Sequence, residues 1–275
     1  MSFDLADLRA FEEKLREEIP GFEVRYKNES TFMKVLGFLI FPFNQGFVDR
    51  FKTTIGKIVY FPTKTEYEAD PESSFRTLSH EYVHLWDDQK HGFKFGLSYM
   101  FPQLLAIIPL LVFGVLAWPH SWLLAAPLVG WVLGSLIAHK NLIAGLITIG
   151  TTVAATVAAS FFLLVWWKGL VLLAGLACVA PWPAPWRTQW ELRGYTMSAA
   201  VVSWMLGPSR VTSSYKEHII KQFVGPNYFF MSWNRGHVER VLNDGVRDAA
   251  NGSLQEHSPY RVVFLFLYNR SLLHV

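Results

Sequence analysis

A long apolar block constrains this chain more than any other feature of its sequence. Between Leu97 and Trp186 there are two lysines, Lys140 and Lys168, and no arginine, aspartate or glutamate. The whole chain is 17% charged, against roughly a quarter in an ordinary soluble domain. A bilayer accepts a helix of about 20 apolar residues, because the backbone polar groups of a helix are hydrogen-bonded internally. We therefore expect an integral membrane protein, with the lipid bilayer as a partner.

Polar residues, prolines and tryptophans divide this block into segments. We predict four membrane spans, and an arrangement of two spans with a buried or re-entrant remainder stays open. Tryptophan has an amphipathic ring that prefers the membrane–water interface, and tryptophans fall at the proposed boundaries. The four spans are Leu97–Trp118, Trp122–Ala138, Leu142–Trp166 and Gly169–Trp186.

The charges of the loops predict an orientation. In the four-span arrangement one side carries Lys90, Lys94, Lys140 and Arg187, whereas the other side carries Lys168 alone. Loops rich in lysine and arginine stay in the cytoplasm, so we expect the domain formed by the segments before and after the apolar block, with any active site it carries, to lie there. The net charge of +3 is mild, and no basic run is long enough to bind nucleic acid. No nucleic-acid partner is expected.

Residues 80–84 have the pattern His-Glu-x-x-His within a predicted helix. Side chains four residues apart lie on one helix face, so His80 and His84 can bind the same ion. Zinc binds neutral imidazole, keeps a position for water and lowers the pKa of that water to about 7. Glu81 can then accept a proton from the water. The pattern therefore predicts a Zn²⁺ site at His80 and His84, with Glu81 as general base.

The residues before this motif supply its structural context. Thr53–Pro62 reads as a turn followed by a short strand that ends at proline. Asp70 is a suitable N-cap and Pro71 a suitable first helical residue, so the metal helix should run from about residue 71 to 90. A strand followed by a metal-binding helix is typical of the zincin fold. The strand at 57–61 would then hold an extended peptide substrate.

A catalytic zinc site needs a third protein ligand. The nearest donors are Asp87, Asp88 and His91. Asp88 would lie roughly 12 Å along the axis from His80, because a helix rises about 1.5 Å per residue. We interpret Asp87 and Asp88 as surface groups or as groups that orient a ligand histidine, and His91 would serve only if the chain turned sharply after the helix.

Glu191 is the preferred third ligand. It is an acid flanked by apolar residues in a predicted helix, Thr188–Leu206, directly beyond the apolar block. The alternative is an ordinary surface acid paired with Arg187 or Arg193. If Glu191 shares an ion with the two histidines, the chain must cross the membrane an even number of times between them.

Three further residues are candidates for assisting catalysis. Tyr195 and Tyr228 are possible oxyanion donors, and His237 could polarise a carbonyl group. Each also has an ordinary explanation as a residue of the core or of the surface.

The sequence resembles the gluzincin metallopeptidases. In these enzymes one helix bears two histidines and a general-base glutamate, which His80, Glu81 and His84 match, and a later helix bears a ligand glutamate, which Glu191 matches. It is most similar to the membrane-bound HtpX and CAAX-protease group, in which hydrophobic hairpins are inserted near the metal helices. That group has Glu-x-x-x-Asp on the second helix, whereas Tyr195 stands at the aspartate position here.

The expected fold is an α+β, zincin-like catalytic domain, mainly helical, with a small sheet and an inserted transmembrane helical region. Residues 1–96 would form the N-terminal half of this domain, 97–186 the insert, and 187–275 the C-terminal helical half with the third ligand. The resemblance implies a zinc metalloendopeptidase that acts on a peptide or protein substrate. The alternative is a non-catalytic membrane protein that uses the metal site for structure or partner binding. The sequence favours no particular oligomeric state.

Overall fold

The computed structural model describes residues 3–41, 44–101, 105, 107–120, 122–163, 166–179, 183–225 and 230–273. Its contacts divide the chain into two units. The first, which we call the polar unit, comprises residues 1–25, 53–101 and 181–275. The second, the apolar unit, comprises residues 26–52 and 102–180.

Both units consist mainly of helices. In chain order the elements are α1 (Leu5–Glu18), β1 (Glu23–Tyr26), α2 (Thr31–Ile40), β2 (Thr53–Ile55), β3 (Ile58–Phe61), α3 (Lys64–Ala69), α4 (Pro71–His91), α5 (Phe93–Met100), α6 (Ile107–Ala117), α7 (Trp122–Ala138), α8 (Leu142–Leu163), α9 (Trp166–Val179), α10 (Pro185–Leu206), α11 (Ser213–Val224), α12 (Arg235–Asn251) and α13 (Tyr260–Asn269). Helices α2 and α6–α9 belong to the apolar unit.

Helix α4 follows the predicted bounds closely, for local reasons. The side chain of Asp70 accepts a hydrogen bond from the backbone N–H of Ser73 at 3.0 Å, and Pro71 occupies the first turn. The first N–H groups of a helix have no partner within the helix. Asp70 supplies a partner for one of them, and Pro71 has no N–H group. The helix ends at Gly92, whose φ of +51° favours glycine. The prediction of a helix from about 71 to 90 is confirmed.

The small sheet has three strands in the order β1–β3–β2. Strands β2 and β3 pair antiparallel, with Thr54 opposite Val59, and Gly56 and Lys57 form the loop between them. Gly56 has a φ of +58°, as the first loop residue of a type II′ hairpin turn requires. The interpretation of residues 53–56 as a turn before a single strand is therefore corrected, because 53–55 form a strand of their own.

This strand order also corrects the prediction that the strand at 57–61 holds an extended peptide substrate. Strand β3 lies between β1 and β2, so its backbone groups on both sides pair within the sheet. A strand in that position cannot pair with an added peptide. Strand β2 is an edge strand of the sheet that the structure describes.

In the apolar unit, small residues allow the backbones of α7 and α8 to approach each other closely. A Cβ atom added to Gly134 of α7 would lie 2.9 Å from the carbonyl oxygen of Gly145 on α8. One added to Gly130 would lie 2.5 Å from the hydroxyl of Thr152. Small residues four apart allow this close approach and are common where membrane helices associate.

One helical stretch of the described residues, Leu142–Phe162 in α8, is long and apolar enough to cross a membrane, with a mean hydropathy of 1.9. Each of the four predicted spans contains a helix, but the described parts of α6, α7 and α9 are shorter than the roughly 20 residues that a bilayer requires. The number of crossings and the cytoplasmic orientation stay predictions.

The segment 26–52 clusters with the apolar helices rather than with the polar unit. In it, the carbonyl of Leu39 on α2 accepts a hydrogen bond from Trp131 Nε1 on α7 at 2.7 Å. The ring of Phe41 stacks on His139 with centroids 3.8 Å apart. Helix α2 therefore belongs to the apolar unit, whereas the predicted division placed it in the N-terminal half of the catalytic domain, residues 1–96.

Candidate metal centre

Helices α4 and α10 pack along each other and bring together the three predicted metal ligands. His84 Nε2 lies 3.1 Å from His80 Nε2. Glu191 Oε2 lies 3.5 Å from His80 Nε2 and 3.7 Å from His84 Nε2. All three residues are buried, and they form the one His, Cys, Asp and Glu group among the described residues that could hold a metal ion.

The separations of these atoms fit a bound ion. Three points with these separations lie on a circle of radius about 2.0 Å, and zinc binds imidazole nitrogen and carboxylate oxygen at about 2.0–2.2 Å. Glu191 Oε2 is buried and accepts no hydrogen bond. A buried polar atom without a partner is costly, and an ion between the three atoms would remove that cost. The triad can therefore hold a metal ion.

The electrostatics of the triad also favour a cation. Burial opposes ionisation of Glu191, but the two histidines outweigh it and hold the pKa of Glu191 well below its usual value. Burial likewise opposes a charge on His84, yet the attraction of Glu191 raises the pKa of His84. Glu191 is therefore an ionised carboxylate, which inside a protein needs a cationic partner. A proton on an imidazole or a metal ion can be that partner.

Two of the ligands have hydrogen-bond partners on the side away from the triad. Tyr99 on α5 donates its hydroxyl to Glu191 Oε1. Ser198 Oγ, one turn beyond Gly194 on α10, lies 3.4 Å from His80 Nδ1. A hydrogen bond at one ring nitrogen selects the tautomer that leaves the other nitrogen free for a metal. His80 is thus oriented with Nε2 towards the triad.

Glu191 is buried, and the described contacts of the two neighbouring arginines lead to other residues, so Glu191 is not an ordinary surface acid. Arg187 Nε donates to the carbonyl of Tyr99 at 2.7 Å. Arg193 lies beside Asp87 of α4, with 2.9 Å between Nη2 and Oδ1. Glu191 itself is only 3% exposed.

Gly194 allows α10 to approach His80. A Cβ atom on Gly194 would lie 2.7 Å from Nε2 and Cε1 of the His80 ring, closer than real Cβ contacts permit. The next residue, Tyr195, meets the same ring edge-on, with centroids 4.7 Å apart and an interplanar angle of 83°. Tyr195 is therefore placed beside a metal ligand, and its predicted role as an oxyanion donor stays a prediction.

Glu81 is half-buried and contacts the sheet. Thr54 Oγ1 on β2 donates a hydrogen bond to Glu81 Oε2 at 2.6 Å. The carboxylate next to the first ligand histidine is thus fixed by the edge strand. This contact joins the predicted general base to strand β2.

Asp87 is fully buried, whereas Asp88 is exposed, so the interpretation as surface groups holds only for Asp88. Burial raises the pKa of Asp87 despite the nearby charge of Arg193. Neither oxygen of Asp87 hydrogen-bonds to His84, whose Nδ1 is buried without a partner. Asp87 therefore joins α4 to α10 through Arg193 rather than by orienting a ligand.

Arg193→Met should leave Asp87 buried without its cationic neighbour and lower the Tm by roughly 3–6 °C, because leaving a buried polar group unpaired costs about 1–3 kcal/mol, and the 35% exposure of the Arg193 side chain keeps the cost towards the lower value. The double variant Asp87→Leu with Arg193→Met should recover most of that loss, since an apolar pair can replace a buried ion pair. Thermal unfolding followed by circular dichroism measures both. An equally unstable double variant would show that the two helices need the charges themselves.

The remaining predicted residues are not brought to the triad. His237 lies in the first turn of α12, where its backbone N–H donates to Asn234 Oδ1 at 2.9 Å. In the part of the chain that the structure describes, no contact joins its ring to the triad, and its catalytic role stays a prediction. Tyr228 lies outside the described residues. The ring of His91 is 5.5 Å from that of Trp190 and takes no part in the triad.

The sequence patterns did not mark Tyr99, Thr54 or Gly194 as residues of the site. Tyr99 falls inside the predicted span that begins at Leu97, but the structure assigns residues 97–101 to the polar unit. The polar residues Ser98 and Tyr99, near the start of the apolar run, were the sequence feature that could have indicated that these residues lie outside the membrane span. Thr54 and Gly194 had no such feature, because their importance arises from contacts with residues far away in the sequence.

Comparisons of the chain with protein-family models, with curated proteins and with solved structures give no match. What is established is therefore the class of site: a buried group of two histidines and one glutamate, able to hold a metal ion, in a mainly helical protein.

Proposed function

We propose that the protein is a membrane-embedded zinc metallopeptidase of the gluzincin type. The observation that carries this proposal is the convergence of Glu191 with His80 and His84, from opposite flanks of the apolar block, at separations that suit one ion. Glu81 stands beside the first histidine, as the general base of such a peptidase must.

The donor set supports a catalytic rather than a structural zinc site. Two imidazoles and one carboxylate are a common set of catalytic zinc ligands, whereas structural sites use four protein ligands. The described residues supply three. A structural metal centre, the alternative function, would require a fourth.

Each residue then has a defined task in peptide hydrolysis. Zinc held by the triad would polarise the scissile carbonyl and acidify a bound water. Glu81 would act as the general base, taking a proton from water and giving it to the leaving amine. Thr54 donates to Glu81 Oε2 and so restricts the orientation of the carboxylate.

Strand β2 is suited to bind the substrate. As an edge strand it can accept an extended peptide as an added strand, the mode in which backbone hydrogen bonds give affinity for many sequences. Because Thr54 lies on β2 and contacts Glu81, a peptide on this edge would run past the general base. This assignment replaces the strand at 57–61.

The apolar unit supports the membrane part of the proposal. Large apolar side chains along α8 are exposed, among them Ile143, Ile147 and Phe162, as expected for contact with lipid. Since the ligands flank this unit and meet, the chain must cross the bilayer an even number of times between His84 and Glu191. If α8 is one crossing, the shorter apolar helices must supply another.

The proposal is tested by metal content and metal-dependent proteolysis of the detergent-purified protein. We expect about one zinc per chain by elemental analysis, cleavage of an unfolded protein substrate such as casein, loss of cleavage on treatment with a chelator, and recovery with added zinc. Protein that contains no metal after zinc is supplied, or cleavage that the chelator leaves unchanged, would overturn it.

A further inference from the structure

Tyr99, on α5, contacts the triad directly. Its hydroxyl donates to Glu191 Oε1, while the other oxygen, Oε2, faces the two histidines. Its ring meets the His84 ring edge-on, with centroids 6.0 Å apart and an interplanar angle of 77°. One side chain therefore touches two of the three ligands.

Tyr99 is itself held in place by α10. Arg187 Nε donates to the Tyr99 carbonyl at 2.7 Å, and the Arg187 guanidinium lies 5.3 Å from the centre of the Tyr99 ring. On the same side, Trp190 Nε1 donates to Ser98 Oγ at 2.9 Å. Helix α5 is thus attached to the turn of α10 that carries Glu191.

These contacts determine how Glu191 can bind. A glutamate side chain is long and its carboxylate rotates readily, so without further contacts it could bind an ion through either oxygen or through both. The Tyr99 hydroxyl occupies Oε1 and leaves Oε2 for the ion. Partners that orient ligands in this way contribute strongly to metal affinity.

We infer that Tyr99 is a positioning residue of the metal centre, which holds Glu191 as a ligand through Oε2 alone. The inference rests on the proposed metal site and adds to it a fourth residue, contributed by α5. It also assigns Arg187 the task of fixing the backbone of Tyr99.

The test compares Tyr99→Phe with Tyr260→Phe by zinc titration in competition with a chromophoric chelator. Tyr99→Phe should bind one zinc with an affinity about 10–100-fold weaker than the unchanged protein. Tyr260 donates its hydroxyl to the carbonyl of Arg193, also on α10, at 3.2 Å, and none of its described contacts joins it to a ligand. Its variant should bind zinc like the unchanged protein. The visible spectrum of the cobalt-substituted protein should change in Tyr99→Phe and stay the same in Tyr260→Phe.

A second variant, Arg187→Gln, acts on Tyr99 without removing its hydroxyl. It should weaken zinc binding in the same direction and by a smaller factor. Tyr99→Phe with unchanged affinity and spectrum, or an equal loss in the Tyr99 and Tyr260 variants, would overturn the inference. If the unchanged protein binds no zinc, the proposed metal site fails instead, so the two failures are distinguishable.

Discussion

Replacing Glu81 by glutamine is expected to leave zinc bound and to lower the kcat for peptide hydrolysis by about 10²–10⁴-fold, the usual contribution of a general base. Glutamine keeps the volume of glutamate, and its amide oxygen can still accept the hydrogen bond of Thr54. What it lacks is a group that can take a proton from water. Because Glu81 is not one of the three ligands, the zinc content of Glu81→Gln should match that of the unchanged protein.

Glu72→Gln is the matched control for this experiment, since Glu72 lies in the first turn of the same helix, two turns before His80. It should retain both zinc and proteolysis. Full activity in Glu81→Gln would refute the role of general base and favour the structural alternative. Loss of zinc in Glu81→Gln would instead show that Glu81 is itself a ligand.

The second large effect is expected from Gly194→Ala, which should lose zinc that the unchanged protein retains through purification. The added methyl group would lie 2.7 Å from the His80 ring, so either the ring or the helix must move. A shift of His80 breaks the arrangement of the three ligand atoms, on which zinc affinity depends. Elemental analysis of the purified variants measures the effect.

Gly96→Ala provides the control, because Gly96 is also in a helix and has open space where its Cβ would be. Alanine favours a helix over glycine by about 1 kcal/mol, so both changes stabilise the helix locally. Only Gly194→Ala should lose the gain in Tm that added zinc gives, because that gain requires binding to the folded state. Wild-type zinc content in Gly194→Ala would show that the helices can separate without harm to the site.

The sequence was sufficient for the part of the site that depends on helical periodicity. His80 and His84 are one turn apart, so a helix alone places them together, and the N-cap at Asp70 marks where that helix begins. Glu191 was predicted on a different ground, because a catalytic zinc site needs a third protein ligand. The structure brings Glu191 to the histidines, although the two segments are separated by the entire apolar block.

Contacts between distant segments were beyond the reach of local patterns. Strand order within a sheet is set by pairing between strands, so nothing in residues 57–61 indicated that this strand would be central and that Thr54 on β2 would meet Glu81. Tyr99 was assigned to a membrane span because apolar composition dominated its surroundings.

The position of Glu191 behind the apolar block has a consequence for biosynthesis. A chain still attached to the ribosome that has emerged only as far as α4 carries both imidazoles and the general base but lacks the acid that completes the centre. In the proposed peptidase, hydrolysis is therefore withheld until the block has been synthesised and α10 has docked against α4. Assembly of the metal site thus requires synthesis of the chain at least as far as α10.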